Sequence, residues 1–222
     1  MSSEIKIEKK ASEVIQPLTG KEAQQAIRSR QDLSGASLRG MSLNSLMAAG
    51  AILRKTDLTA ADLSHSLLVN PNFYKANIHG ASVHNTVFLG ADLVKTSFKD
   101  SDLSNSALVG VDAQEVNFEN TVLRNAALVK GNFTNANFRR ANLANARLTS
   151  LNVTGADFTD ANLEGARAYN VNWKRAKVPP STIPQPFVKL PNWAWILLLV
   201  GILGLFALLF YILIMGKKKK SD

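Results

Sequence analysis

"GNFTNANFRRANLANARLTS", residues 131–150, sets Phe133, Phe138, Leu143 and Leu148 five residues apart. A helix repeats its apolar face every ~3.6 residues and a strand every ~2. A period of five fits neither. Stepping in fives from Leu33 extends the pattern through Leu53, Phe73, Leu93, Phe118 and Leu143 to Trp173. All 29 positions are apolar and no insertion interrupts them. We label this position i. Position i−2 is mostly small, as at Ala51, Ala61, Ala91, Ala126, Ala141 and Ala156. Position i−1 is often Asp or Asn, as in "ADLSH", "ANFRR" and "ADFTD".

These units resemble the pentapeptide-repeat family, whose pattern is A(D/N)LXX. The resemblance covers about residues 31–175. It implies an all-β fold, a right-handed quadrilateral parallel β-helix of about seven coils with about four pentapeptides in each. Elementary stacking agrees: a short fixed period marks a solenoid whose units bury their apolar residues only against neighbours. At ~4.8 Å per stacked strand the rod is about 35 Å long. Phe98, Phe118, Phe138 and Phe158 fall twenty residues apart and should form an aromatic ladder. Asp and Asn at i−1 are expected to satisfy turn backbone groups rather than to act as catalytic carboxylates.

Outside the repeat the composition changes. Residues 1–18 mix Glu, Lys and Ser and read as a mobile N-terminus. Residues 19–30 read as a cap helix: Thr19 and Glu22 have capping-box spacing, and Ala23, Ala26 and Ile27 make a small apolar face. Such a helix would cover the open edge of the first coil. Residues 176–192 hold five of the seven prolines and read as a semi-rigid linker. Residues 193–215 are 23 residues without a charge, enough for a helix to span the ~30 Å hydrocarbon layer. Trp193 and Trp195 suit one interface and Tyr211 the other. A basic tail, residues 216–222, carries Lys217, Lys218, Lys219 and Lys220, which could rest on anionic headgroups. The expectation is a single-pass, tail-anchored protein of a bacterial cytoplasmic or thylakoid membrane, with the repeat on the cytoplasmic side and membrane lipid among its partners.

If twenty residues make a coil, each outer side can be read from stacked positions. One side carries Asn85, Asn105, Asn125 and Asn145 in a column, an expected hydrogen-bonded ladder. Another carries Lys55, Lys75 and Lys95. The fourth differs. Its i−1 residues are Met47, Leu67, Val87, Ala107 and Ala127, and its i+1 residues are Ala49, Val69, Leu89, Val109 and Val129. Ten outward positions are apolar where the repeat usually places polar groups, and the stripe ends at Arg147 and Thr149. A contiguous apolar patch of this kind marks an interface. The expected occupant is a partner protein or a second copy.

Composition excludes several chemistries. There is no cysteine, hence no disulfide, thiolate site or cysteine nucleophile. His65, His79 and His84 are the only histidines; two adjacent ones without a third ligand make a weak metal site. No GxSxG, phosphate loop, HExxH or dinucleotide fingerprint occurs. No cofactor, small-molecule substrate or enzymatic activity is expected. The net charge is +9, but residues 31–175 carry fourteen basic and twelve acidic residues, leaving the repeat at only +2. Some family members are rods that mimic duplex DNA and bind type II topoisomerases. That alternative needs a strongly negative surface, which this repeat lacks, so nucleic-acid-related function is disfavoured. A secreted, membrane-inserting bacterial effector is the other alternative.

Overall fold

One backbone angle sets the corner that closes every unit. In the computed structural model, which describes residues 18–186, every fifth residue from Gly35 to Asn170 is left-handed, with φ from +49° at Asn70 to +75° at Gly35. That conformation costs an L-residue about 1–2 kcal/mol, and Gly and Asn tolerate it best. The corner persists because hydrogen bonds between coils fix it from both sides. Leu33 N–H donates to the Ile52 carbonyl at 3.0 Å, and Gly35 N–H to the Arg54 carbonyl at 2.8 Å. The same offset recurs along the chain, so one coil is twenty residues with four corners.

The result is a parallel β-solenoid. One side forms a continuous sheet of short strands in sequence order: β1 (Met47–Ala49), β2 (Leu67–Val69), β3 (Val87–Leu89), β4 (Ala107–Val109), β5 (Ala127–Val129), β6 (Arg147–Thr149), β7 (Arg167–Tyr169) and β8 (Gln185–Pro186). β1 to β7 pair in parallel and in register, Met47 beside Leu67 and Ala49 beside Val69. The other three sides carry single-residue bridges such as Asp32 to Ile52 and Ser37 to Asp57. There an Asp or Asn at i−1 accepts the i+1 backbone N–H: Ser34 N–H to Asp32 Oδ1 at 2.9 Å, Tyr74 N–H to Asn72 Oδ1 at 3.0 Å. This local bond folds the unit early into its corner. The sheet side has no such acceptor at i−1, and its i+1 residue stays in the strand.

Position i fills the axis. Its residues from Leu33 to Ala168 are buried except Ala48, which is partly buried, as is Trp173. The aromatic ladder is present. Phe98 and Phe118 stack at 5.3 Å, Phe118 and Phe138 at 5.2 Å, and Phe138 and Phe158 at 4.7 Å. Position i−2 lines the same interior. Where it is Thr, the hydroxyl donates to a carbonyl one coil below: Thr56 to Leu33, Thr86 to Leu63, Thr96 to Phe73 and Thr121 to Phe98, at 2.7–3.0 Å. These buried hydroxyls are therefore satisfied crosslinks between coils. Gly131 occupies an i−2 position for steric reasons, because a Cβ there would lie 2.3 Å from Phe133 Cε2.

The ends follow the sequence at one terminus and depart from it at the other. Helix α1 (Gly20–Arg28) starts at Thr19 with a complete capping box to Glu22 and buries Ala23, Ala26 and Ile27. It packs beside β1, and Gln24 Nε2 donates to the Ser42 carbonyl of the first coil at 3.2 Å. At the other end, a 3₁₀ turn (Trp173–Arg175) adds one residue to the coil. Phe158 N–H consequently meets the Val178 carbonyl, twenty residues on, where earlier coils use nineteen. Residues 176–186, expected to begin the proline-rich linker, instead belong to the end of the solenoid. Lys177 N–H donates to the Ala156 carbonyl at 2.9 Å, and Pro180 and Pro184 are buried. Proline ends the regular ladder because it lacks the donor, not because it detaches the chain. The Asn column is also corrected. Asn85, Asn105, Asn125 and Asn145 show one rung, Asn125 to Asn105 at 3.1 Å. Each sits at a left-handed corner, and that conformation accounts for Asn there. The longer side-chain ladder lies at i−1, from Asn152 to Asn132 at 3.1 Å and on to Asp112 at 3.3 Å.

Two outcomes test this packing. Gly131→Ala should lower stability by about 1–3 kcal/mol, the cost of overpacking against Phe133, measured by chemical denaturation. The Asp57 carboxyl is held below its ordinary value first by the Thr59 hydroxyl, aided by the Thr59 N–H and Arg39 and opposed by burial. A carboxylate lowered in the folded state stabilises above its unfolded value of ~3.9 and loses that contribution as pH falls through the folded value. The melting temperature should hold down to about pH 5 and fall below about pH 4, with a smaller acid loss in Thr59→Val.

Candidate protein-interaction face

In each of β1 to β7 the middle residue points into the core and its two neighbours point out. Leu68, Phe88, Leu108 and Leu128 are fully buried. The ten residues of the stripe are thereby brought into two straight columns. Met47, Leu67, Val87, Ala107 and Ala127 form one, and Ala49, Val69, Leu89, Val109 and Val129 the other, joined by the parallel register of β1 to β5. Met47 (60% exposed) and Leu89 (43%) protrude, whereas Val69, Val87, Val109 and Val129 are half-buried between stacked neighbours. The face is thus low and nearly flat, with two knobs and a shallow step at Ala107 and Ala127.

The apolar columns give way to charge at β6 and β7. Arg147 and Arg167 continue the first column and are exposed; Thr149 and exposed Tyr169 continue the second. Lys130 stands at the corner after β5. From Met47 to Asn170, no Asp or Glu occupies an outward position of this sheet or its following corner. Among the described residues, Lys130, Arg147 and Arg167 form no ion pair.

The opposite side is arranged differently. His79 Nδ1 lies 3.5 Å from Asp100 Oδ2, Asn120 Nδ2 donates to Asp100 Oδ1 at 2.8 Å, and Arg140 Nε donates to Asn120 Oδ1 at 2.8 Å. Arg140 also pairs with Glu119, which Lys99 reaches at 3.5 Å. Arg39–Asp57 (3.1 Å) and Arg139–Asp157 (3.6 Å) extend the pairing along that side. Burial pushes the Asp157 carboxyl up, but the Thr159 hydroxyl and N–H together with Arg139 and Lys177 outweigh it and hold it below its usual range. The sequence holds the signal for this network, since Lys99 and Glu119, and Asp100, Asn120 and Arg140, lie twenty residues apart.

Other candidates do not assemble into sites. His65 and His84 meet edge-on at 5.1 Å, and His84 Nδ1 shares a hydrogen bond with Ser82 Oγ. No group of three or more metal-ligating side chains occurs among the described residues. Lys55, Lys75 and Lys95 line one corner column, with Lys75 over the Tyr74 ring and Lys95 paired with Glu115 at 3.4 Å. The surface hollow lined by Arg124, Asn142, Asn145, Asn162 and Glu164 is open and polar. No helix among the described residues is long and apolar enough to cross a membrane. Segment 193–215 and the anchor residues Trp193, Trp195, Tyr211 and Lys217 to Lys220 lie outside the described residues.

Comparison with known proteins bears on the fold. A family model for a pentapeptide repeat region matches residues 81–158, and one for pentapeptide repeats in eight copies matches residues 32–68 and 51–88. No curated protein matches the sequence significantly. Trypsin-treated QnrB1, a plasmid-mediated fluoroquinolone resistance protein, is 20% identical, with a TM-score of 0.43 over 75% of this chain and 95% of its own. HetL from the cyanobacterium Nostoc, a pentapeptide repeat protein involved in heterocyst differentiation regulation, is 19% identical over 75% of this chain and 99% of its own, with a TM-score of 0.29. A pentapeptide repeat protein of the Arabidopsis thaliana thylakoid lumen is 24% identical over 53% of this chain and 71% of its own, also at 0.29.

The two-sided geometry of each strand gives a direct check. Leu108→Ala, at an inward position of β4, should cost about 2–5 kcal/mol. Leu89→Ser, at an outward position of β3, should stay within about 0.5 kcal/mol of the parent. Equal losses by calorimetry would contradict the assigned faces.

Proposed function

The chain belongs to the pentapeptide-repeat family of solenoid scaffold and protein-interaction proteins, and on that premise we propose that it is a non-enzymatic scaffold or accessory subunit that engages a partner polypeptide through the face of β1 to β5. One observation carries this reading: ten outward side chains on five successive strands are apolar on the one side that forms a continuous sheet. A contiguous, partly exposed apolar patch on such a surface favours association. The filled core supports a non-catalytic role, because buried Phe and Leu side chains occupy the axis of the described solenoid, where a substrate cleft would otherwise lie. The near-neutral balance of residues 31–175 speaks against mimicry of a polyanion. The uncharged segment 193–215, which begins with Trp193 and Trp195 and is followed by the four lysines, supports tethering to a bilayer, with the solenoid held beside a membrane-bound partner.

The test is a pair of charges in the middle of the face. Val69→Lys with Leu89→Lys should leave the melting temperature within a few degrees of the parent, since both positions point outward. It should also release the protein from its native assembly, read as a shift to smaller species on native electrophoresis of gently solubilised membranes. An unchanged assembly with an intact fold would remove this face as the interface.

A further inference from the structure

The face is asymmetric along its length, and the asymmetry describes the partner. β1 to β5 present an apolar strip about 19 Å long at ~4.8 Å per strand. β6 and β7 then add about 10 Å that carries Arg147, Arg167 and Tyr169, with Lys130 at the border. On the opposite side of the rod Arg39, Lys99, Arg139 and Arg140 are all matched by carboxylates. The cations at the end of the sheet have no such partner among the described residues and no acid on their own face. The sheet is three residues wide, about 10 Å at ~3.3 Å per residue, close to the ~10–12 Å diameter of one α-helix. The small pair Ala107 and Ala127 leaves a step beside the Leu89 knob, where a bulky partner side chain can sit at core-like density.

We propose that this face binds a single α-helix of a partner protein, apolar along three to four turns and acidic over the next one or two, laid along the rod with its acidic end over Arg147 and Arg167. At ~1.5 Å per residue the apolar part spans about 13 residues and the acidic part about seven. The proposal rests on the reading of this face as a partner-binding surface and adds the partner's form, chemistry and direction. A second copy fits less well, because it would bring the same acid-free face and more arginine. The contact is smaller than a standard protein–protein interface of about 800 Å² per partner, which suits a weak, exchangeable complex. The charged end fixes direction and rate of encounter more than affinity.

The experiment uses the full chain in nanodiscs of neutral phosphatidylcholine and two fluorescent helical peptides. Both share a 13-residue Leu/Ala amphipathic block; one ends in a block of Glu and the other in a block of Lys. By anisotropy, the Glu-ended peptide should bind at least tenfold more tightly. Arg147→Glu with Arg167→Glu should reverse that order, and Leu89→Lys should weaken both peptides. Equal affinity for the two peptides, or a preference that survives the arginine reversal, overturns the proposal. So does absence of peptide binding when Val69→Lys with Leu89→Lys still disperses the native assembly; the face then remains an interface, but not for such a helix. Concentration-dependent dimers that Leu89→Lys abolishes would assign the face to a second copy instead. Binding to phosphatidylglycerol vesicles that Leu89→Lys abolishes would assign it to lipid.

Discussion

Everything in this solenoid depends on a left-handed corner recurring every five residues. The conformation is unfavourable for most side chains, yet Ala60, Lys75, Glu115 and Arg140 adopt it alongside the glycines and asparagines. They do so because the backbone on both sides of each corner is hydrogen-bonded to the coil above and the coil below. No single unit could hold the turn alone. The corner is a cooperative property of the stack, as in other repeat proteins whose units are stable only against neighbours. That also explains why the i−1 acceptor can lapse at Ile52 and Val122 without loss of the turn, since neighbouring coils impose it.

The same stacking rule organises the core and the ends. Twenty-residue register places Phe98, Phe118, Phe138 and Phe158 face to face and lets buried Thr hydroxyls reach carbonyls of the coil below. It leaves two open edges, which must be closed to prevent strand addition. Helix α1 closes the first with Ala23, Ala26 and Ile27. A one-residue slip at the Trp173–Arg175 turn ends the regular register at the other, with Trp173 edge-on to Phe158 at 5.4 Å.

The repeat, its core positions, the capping box and the two apolar columns were all legible in the sequence, because each follows from a fixed spacing. What escaped was local competition. The Asn column at 85, 105, 125 and 145 read as a ladder, but its members answer to corner conformation first and to each other second. Residues 176–192 read as a linker because proline forbids regular ladders; the burial of Pro180 and Pro184 carries no periodic signature. The ion-pair side could have been found by reading charges twenty apart, as the apolar stripe was. That only the stripe side would form continuous strands followed from the missing Asp and Asn acceptors, a signal visible only once the role of those acceptors is known.

The two long sides of the rod therefore differ in kind. One carries a run of ion pairs; the other is apolar, then cationic, with its cations unpaired among the described residues. The central claim is that the apolar side is where this protein meets another polypeptide. The most direct measurement places a photoreactive side chain at Val109, in the middle of the apolar columns, and a second at Lys99 on the ion-paired side, each in the full chain in its native cells. The account predicts a discrete protein adduct from Val109 and none from Lys99. Equal labelling from both positions, or an adduct from Lys99 alone, would contradict it.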